Sequence, residues 1–529
     1  MSLHPFGWAR LVAALAGSLA LGCGPSKAIP SADSTPIRLL DSDARLVGNG
    51  RSACTHQTPA SADGHRWCAF IKGTPEDGLA ELWVIDVSAA VNGVVPRCDG
   101  SSGGCLRLTS TLAVRAAAFF DGDTLIYHAD PVSAETGDFL GRIFAWRPGW
   151  SHGRQISSDR GFTCIGQRRS AAAACFDDPS GNPAKRDSAQ VRVGYLDGEG
   201  GDALPPIGRW PLRNDNDTAW EAAFSPDGAT FGLSSAARIG ETQSLWIVAT
   251  ADAGTAAPTV AIDDVAYWKV SNDGVAIYFV RGLPQRADLH VAEFPSGTGS
   301  KLIEPGILSF TLIGEQLSDQ ALGFVKDLGE TKGEFKLLSE RRQAAPQSIF
   351  TFEDILDGAI VSPDLRYTMW MDFEFRGVVI RNADLATCAL DIGDEPPVFE
   401  PAFLDHAGLM FWKETRPGAT SHRDAFFAPP DRCRSKERFA TDVDFFVPIG
   451  DRGLVFADEV DGHTGRSVLK HVAVSPDRTS LDARGAVRVQ EGVTSPIIFV
   501  GGAPLLLVYS AVGASADSTG VFVYGPVPL

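Results

Sequence analysis

Residues 266–303 read AYWKVSNDGVAIYFVRGLPQRADLHVAEFPSGTGSKLI, and their pattern decides the fold. Four short runs of β-branched and aromatic residues are cut by turn residues. Tyr267 to Val270 is the first run, and Ser271-Asn-Asp-Gly274 turns it over. Val275 to Val280 is the second and the most apolar. Leu289 to Phe294 is the third, and Lys301 to Ile303 opens a fourth after Pro295-Ser-Gly-Thr-Gly299. Such runs, punctuated by Asn, Asp, Gly and Pro, make a meander of antiparallel strands. One small sheet cannot bury both of its faces, so neighbours of the same kind are required.

The chain supplies them. Ahead of the opening stretch, the order of turn, apolar run and aromatic-rich run recurs around Trp67–Ile71, Thr124–His128, Ala171–Phe176 and Phe231–Ser234. It recurs after it around Leu322–Val325, Tyr367–Met371, Leu409–Trp412, Leu454–Ala457 and Leu505–Tyr509. The spacing is mostly about 42–50 residues, the period of a four-stranded propeller blade. No long pattern of helical period interrupts the series. The expected fold is all-β: a β-propeller of four-stranded antiparallel blades over residues 37–529, with about ten repeat units. Fewer blades with decorated loops, or two smaller propellers, would fit the same repeats. The tenth unit has three runs, ending near Tyr524, and Pro36-Ile-Arg-Leu-Leu40 reads as a stray fourth strand. An N-terminal strand that closes the last blade would leave no loose edge.

Ser225-Pro-Asp-Gly228, Ser271-Asn-Asp-Gly274 and Ser362-Pro-Asp364, together with Glu81-Leu-Trp-Val-Ile-Asp86, resemble the repeats of TolB-type propeller proteins. The turn has a mechanism: Pro presets φ, Asp suits the second corner and Gly takes the positive φ. The resemblance implies a fold more firmly than an activity.

The start of the chain reads as an export signal over residues 1–22. Arg10 precedes an apolar run, Leu11 to Leu21, too short to span a bilayer as a helix. Ala20-Leu21-Gly22-Cys23 resembles the lipobox of bacterial lipoproteins, in which the cysteine receives lipid. Gly22 and Cys23 match it; Ala20 stands where Leu is usual and Leu21 where a small residue is usual. The resemblance implies lipidation at Cys23, and the other reading is a plain secretory signal. Residues 23–36, rich in Ser, Pro and Ala, follow as a flexible tether. An acyl anchor would hold the folded body at the bacterial envelope without spanning it.

Nine cysteines less Cys23 leave eight, an even number for an exported chain. Their spacing favours Cys54 with Cys68, Cys98 with Cys105, Cys164 with Cys175, and Cys388 with Cys433 at third-to-fourth-strand turns of consecutive repeats. No CxxC or close Cys/His pairing suggests a metal.

The net charge of −18 is spread along 529 residues, which opposes a phosphate-tracking nucleic-acid surface. Hydrophobic content of 44% and charged content of 21% are ordinary for a soluble globular body. Gly149-Trp-Ser-His-Gly153 matches the GxSxG string of serine hydrolases but lies between strands, with no helix to follow. The acidic strings Asp121-Gly-Asp123, Asn214-Asp-Asn-Asp217 and Asp458-Glu-Val-Asp461 do not continue into calcium loops. Trp83, Trp146 and Trp246 share a third-strand position and read as packing between blades. No cofactor is expected. The expected role is binding or scaffolding of a protein or glycan partner, through rim loops or the central funnel, with membrane contact through the lipid anchor only and no nucleic acid. Asp130 to Leu140 and Pro179 to Asp187 are the candidate contact loops. The alternative is a propeller hydrolase or lyase acting on glycans or peptides in the funnel.

Overall fold

The computed structural model describes residues 36–40, 44–47, 53–55, 66–72, 80–88, 98, 104–112, 118–133, 139–167, 170–178, 180, 188–197, 203–211, 220–235, 242–271, 274–282, 287–313, 321–329, 332–338, 345–353, 359–371, 377–390, 402–404, 408–415, 423–449, 451–461, 464–481, 485–500, 506–513, 515 and 518–525. Cys23 and its signal lie outside them, as do Asn214-Asp-Asn-Asp217 and residues 134–138 and 181–187 of the candidate loops.

Among the described residues the strands group into ten meanders of four. Blade 1 comprises Ala44–Leu46, Trp67–Lys72, Ala80–Asp86 and Cys105–Leu112; blade 2 comprises Ala118–Asp121, Thr124–Ser133, Phe139–Trp146 and Arg154–Gln155. Blade 3 comprises Gly161–Gly166, Ala172–Asp177, Ser188–Tyr195 and Pro206–Pro211. Blade 4 opens with Trp220–Phe224, Thr230–Ser235 and Gln243–Ala249; blade 5 has Ala276–Arg281 and Ala287–Glu293 at its centre; blade 6 ends with Ala321–Gly329, Lys332–Leu338 and Gln347–Glu353. Two long strands, Thr259–Val270 and Lys301–Ile313, each serve as the fourth strand of one blade and the first of the next, so blades 4–6 form one ten-stranded sheet. Blade 7 comprises Ile360–Val361, Tyr367–Met371, Gly377–Arg381 and Thr387–Leu390; blade 8 comprises Ala402–Phe403, Met410–Thr415, Arg423–Ala428 and Glu437–Ala440. Blade 9 has Phe445–Ile449, Gly453–Asp458 and Ser467–Ala473, and Val487–Val500 passes from it into blade 10 with Leu506–Ala511 and Gly520–Tyr524.

The ring closes by strand exchange between the ends. Ile37–Leu40 pairs antiparallel with Gly520–Tyr524, Ile37 facing Val523 and Arg38 facing Phe522. It is the fourth strand of blade 10. Nine apolar clusters then run from blade to blade around the circuit. One joins Leu506, Val508, Val521 and Val523 of blade 10 to Leu82 and Val84 of blade 1 and to Leu125 and Trp146 of blade 2. The others link 2 to 3, 3 to 4 and onward to 9 and 10 in turn. The described residues thus form one circuit of ten blades, each covering the apolar face of its neighbour.

This packing explains the sequence pattern. A second strand has a blade on each side, so both of its faces are buried. Ala172–Asp177 and Gly453–Asp458 are buried at every position. They therefore read as unbroken apolar runs rather than alternating ones.

The Ser-Pro-Asp-Gly turns are built alike. Ser225, Ser271 and Ser362 each donate their amide to the carbonyl five residues on, closing at 2.9, 2.9 and 2.8 Å. Each serine Oγ accepts the returning amide of Thr230, Ala276 or Tyr367 at 3.0 Å. Ser225 and Ser362 also donate to Asp227 and Asp364. The turns nest. A Cβ on Gly274 would meet Pro226 Cδ of the preceding blade at 2.0 Å, and one on Gly228 would meet Ser170 Oγ at 1.9 Å.

Three departures from the sequence reading have physical causes. The Asp130–Leu140 insert is in part an extension of the hairpin: Val132 pairs with Leu140 and Ser133 with Phe139, across a register shift at Asp130-Pro131. Proline cannot donate to a ladder, so the shift carries it. Cys388 sits within the fourth strand Thr387–Leu390 and not in a turn, while Cys433 follows the 3-10 turn Pro430–Arg432. The joined strands run on where separate fourth and first strands were expected, even through Pro305-Gly306. Each bends through one residue with left-handed backbone, Asp264 (φ 61°), Gly306 (φ 67°) or Gly492 (φ 70°), which is enough to redirect the chain without ending the strand.

Candidate functional site

First strands meet one another and fourth strands face out. The rings of Tyr267 and Phe310, on the first strands of blades 5 and 6, are 5.0 Å apart at their centroids. On the fourth strands, Val260, Leu302 and Val487 are exposed. The first strands therefore line the centre of the ring, and polar groups on them are candidates for contact with a ligand.

One such group of side chains stands out at blades 4 and 5. Glu221, on Trp220–Phe224, points toward blade 5, and its Oε2 accepts the backbone N–H of Trp268 at 2.9 Å. Trp268 itself is turned into the core between the blades, where its indole N–H donates to Ser234 Oγ at 2.5 Å. Alternation along the strand puts Tyr267 and Lys269 on the opposite face from Trp268. Lys269 Nζ lies 5.5 Å from the centre of the Tyr267 ring, a cation–π distance. All three side chains are half-buried.

Burial governs their chemistry. It pushes the Glu221 carboxyl up to about 8, against the Trp268 N–H and the Lys269 ammonium, which both favour the charged form. It pulls Lys269 down, with Glu221 opposing. Burial raises the Tyr267 hydroxyl, and Glu221 adds to the shift. Among the described residues, no hydrogen bond or ion pair ends on Lys269 Nζ, on Tyr267 Oη or on the second oxygen of Glu221.

Sequence reasoning did not single out these three residues. The available signal was charge within first strands that are apolar in several other repeats, such as Ile360–Val361 and Phe445–Ile449. What it could not show was that residues 47 apart would meet.

The residues that the sequence did single out fall elsewhere. Ser151 Oγ and His152 Nδ1 are 3.0 Å apart and exposed in the turn between Phe139–Trp146 and Arg154–Gln155. They are chain neighbours without the strand-to-helix elbow that a nucleophile needs. Asp458 and Glu459 both take an ion pair from Lys470, at 2.9 and 2.7 Å. No group of three potential metal ligands occurs among the described residues. Trp146 is buried against Trp67, and Trp83 and Trp246 pack into the inter-blade clusters.

The eight remaining cysteines form four disulfides. Cys54–Cys68 and Cys98–Cys105 lie within blade 1 and Cys164–Cys175 within blade 3. Cys388–Cys433 joins blade 7 to blade 8, with Cα atoms 6.0 Å apart. Beside it, Asp431 accepts from Tyr367 Oη at 2.8 Å and from Arg381 Nε at 3.0 Å, a second link across the same boundary.

A groove of about 780 Å³ lies between blades 9 and 10, with Arg466, Arg488, Glu459, Glu491 and Phe522 in its walls. Its charges are largely spent on one another: Arg488 is 2.9 Å from Glu491 and 4.0 Å from Glu459.

Strand order, circuit and closure together define the chain as a closed β-propeller. Its solved likenesses are distant. A eukaryotic initiation factor structure matches at 9% identity over 77% of this chain and 93% of that one, with a TM-score of 0.43. The Dos1 propeller matches at 10% over 77% and 90%, TM-score 0.36, and TolB from Acinetobacter baumannii at 10% over 57% and 77%, TM-score 0.26. No protein-family model and no curated protein matches the chain.

Proposed function

We propose that this chain is a lipid-anchored propeller of the bacterial cell envelope, serving as a binding or scaffold module for a protein or glycan partner. The observation that carries a binding role is the half-buried group of Glu221, Tyr267 and Lys269 on the innermost strands, with Glu221 held through one oxygen by the Trp268 N–H. A rigid ring presenting such groups suits recognition, since the strands hold them in fixed relation. The apolar leader ending in Gly22-Cys23 supports export and anchoring, and four disulfides suit an oxidising compartment.

The test has two arms. Cys23→Ser should move the chain from the membrane fraction to the soluble one. Affinity capture of the anchored chain from detergent-solubilised envelopes should recover a partner that is released when residues 134–138 and 181–187 are replaced by short Gly-Ser links. Unchanged fractionation would overturn the anchor, and capture indifferent to both loops would overturn the rim as the contact surface.

A further inference from the structure

The groove between blades 9 and 10 is also where the closing strand enters the ring. Pro36, directly ahead of Ile37–Leu40, forms part of its wall together with Arg466 and Gln490. The chain that leads up to Pro36 therefore sets out from this groove. The acidic groups around it are already engaged. Glu459 takes Lys470 at 2.7 Å, and Glu491 takes Arg488 at 2.9 Å. Asp461, across the hairpin from Arg466, accepts from Thr464 Oγ1 at 2.8 Å. Among the described residues, no hydrogen bond or ion pair ends on the guanidinium of Arg466, a half-buried residue of the groove wall. Gln490 has its side-chain oxygen taken by Tyr509 Oη at 2.9 Å, so its NH2 is a second donor on the same wall. Half-buried donors of this kind call for an anionic acceptor. The stretch Gly24-Pro-Ser-Lys-Ala-Ile-Pro-Ser-Ala-Asp-Ser-Thr35, which lies outside the described residues, holds one acid, Asp33.

We propose that residues 29–35 of the tether dock in the groove between blades 9 and 10, with the Asp33 carboxylate paired to Arg466. Asp33 stands three residues ahead of Pro36, a reach of at most about 11 Å along an extended chain. Pro30 and Pro36 bias the residues before them to extended backbone, which lowers the entropy cost of laying the segment down. Ile29 and Ala32 are its apolar side chains, and Val489 and Val512 in the groove wall are half-buried surfaces for them. Docking also has a consequence for orientation. Residues 24–28 alone then separate Cys23 from the groove, a span of at most about 18 Å. An anchored ring would be held with the edge of blades 9 and 10 against the membrane. The docking rests on the groove, and only this orientation rests on the lipid anchor proposed above.

The experiment is limited proteolysis of the full chain, purified in detergent, with elastase, which cuts after small residues. Mass spectrometry follows cleavage within residues 28–35, and a synthetic peptide of residues 24–36 gives the rate for the undocked segment. The parent should be cut more slowly than the peptide. Arg466→Gln should speed the cut at least about threefold, the effect of losing an ion pair at a partly exposed site. Asp33→Arg should do the same, measured against a peptide carrying the same change. Combining Asp33→Arg with Arg466→Asp should restore protection, which a merely structural role for Arg466 would not do. Each variant's melting temperature is measured alongside, so that loss of folding is not read as loss of docking. Cleavage of the parent as fast as the peptide would overturn the docking and leave the groove to another occupant. An unchanged rate in folded Arg466→Gln, or no recovery in the swapped pair, would overturn the Asp33–Arg466 contact. Fractionation of Cys23→Ser decides the anchor separately, so either reading can fail without the other.

Discussion

Blades 4–6 and blades 7–8 solve one problem in two ways. In the first region the chain crosses between blades inside an unbroken strand, at Thr259–Val270 and Lys301–Ile313, and three blades become one sheet. In the second, each blade is its own four-stranded sheet, with an inner strand of only two residues, Ile360–Val361 or Ala402–Phe403. There the boundary is secured by side chains: the Cys388–Cys433 disulfide, Asp431 with Tyr367 and Arg381, and a cluster around Met369, Met410 and Trp412. The sequence holds no cysteine between Cys175 and Cys388, so the joined blades are built without one. Where the backbone does not carry the register across, covalent and ionic cross-links do.

The largest effect should come from cutting the cross-link. With its cysteines 45 positions apart, a disulfide of this span restricts the unfolded chain by about 4 kcal/mol. Replacing both Cys388 and Cys433 by Ser should therefore cost about that much, and the loss should be local. Hydrogen exchange should accelerate in Tyr367–Met371 and Met410–Thr415 and stay unchanged in Ala276–Arg281. Equal acceleration in all three would dissolve the distinction between the regions.

Within the joined region the corresponding weak point is a turn. Gly274 has φ 70°, and an added Cβ would overlap Pro226 of the neighbouring blade. Gly274→Ala should cost about 3 kcal/mol, from left-handed strain together with overpacking. A loss below about 1 kcal/mol in chemical denaturation would mean that the turns of blades 4 and 5 are not locked together.

The serines of the repeat turns provide a control. Ser225 in blade 4 and Ser362 in blade 7 make the same hydrogen bonds. Each change to Ala leaves a backbone N–H without its acceptor and should cost about 1–2 kcal/mol. Equal losses would place the difference between the regions in their boundaries; a much larger loss at Ser362 would place it in the blades themselves.

How much of this could be read beforehand follows from which interactions are local. The second strands were legible because burial on both faces writes an unbroken apolar run, as at Ala276–Arg281. The turns were legible because their hydrogen bonds close within five residues. Leu365 shows the limit even there: it takes φ 61° where the turns at Ser225 and Ser271 carry Gly, held by the same Ser362 contacts, so the turn outlasts the loss of its glycine. The joined strands were not legible, since a single left-handed residue redirects the chain without ending the strand, whether it is Asp264, which gives no turn signal, or Gly306, whose Pro305-Gly306 pair reads as a turn. The central trio was not legible either, because its members come from different blades and meet only when the ring forms.

Glu221 offers the finest discrimination, since it sits where two joined blades touch. Its folded pKa is raised to about 8 from an ordinary carboxyl value of 4.5. Between those two values the folded chain keeps a proton that the unfolded chain releases. Stability contributed at this site therefore falls as pH rises through that window, and the full penalty stands above the folded value. Below the unfolded value both states are protonated and the site is silent. Glu221→Gln has the shape of the protonated acid and no titration. Its melting temperature relative to the parent should thus rise steadily from pH 5 to pH 9, by a margin that solvent reaching the half-buried side chain keeps small. A difference that is flat with pH would mean that Glu221 stays ionised against Lys269 throughout. The inner boundary of blades 4 and 5 would then be an ion pair, held by side chains much as blades 7 and 8 are.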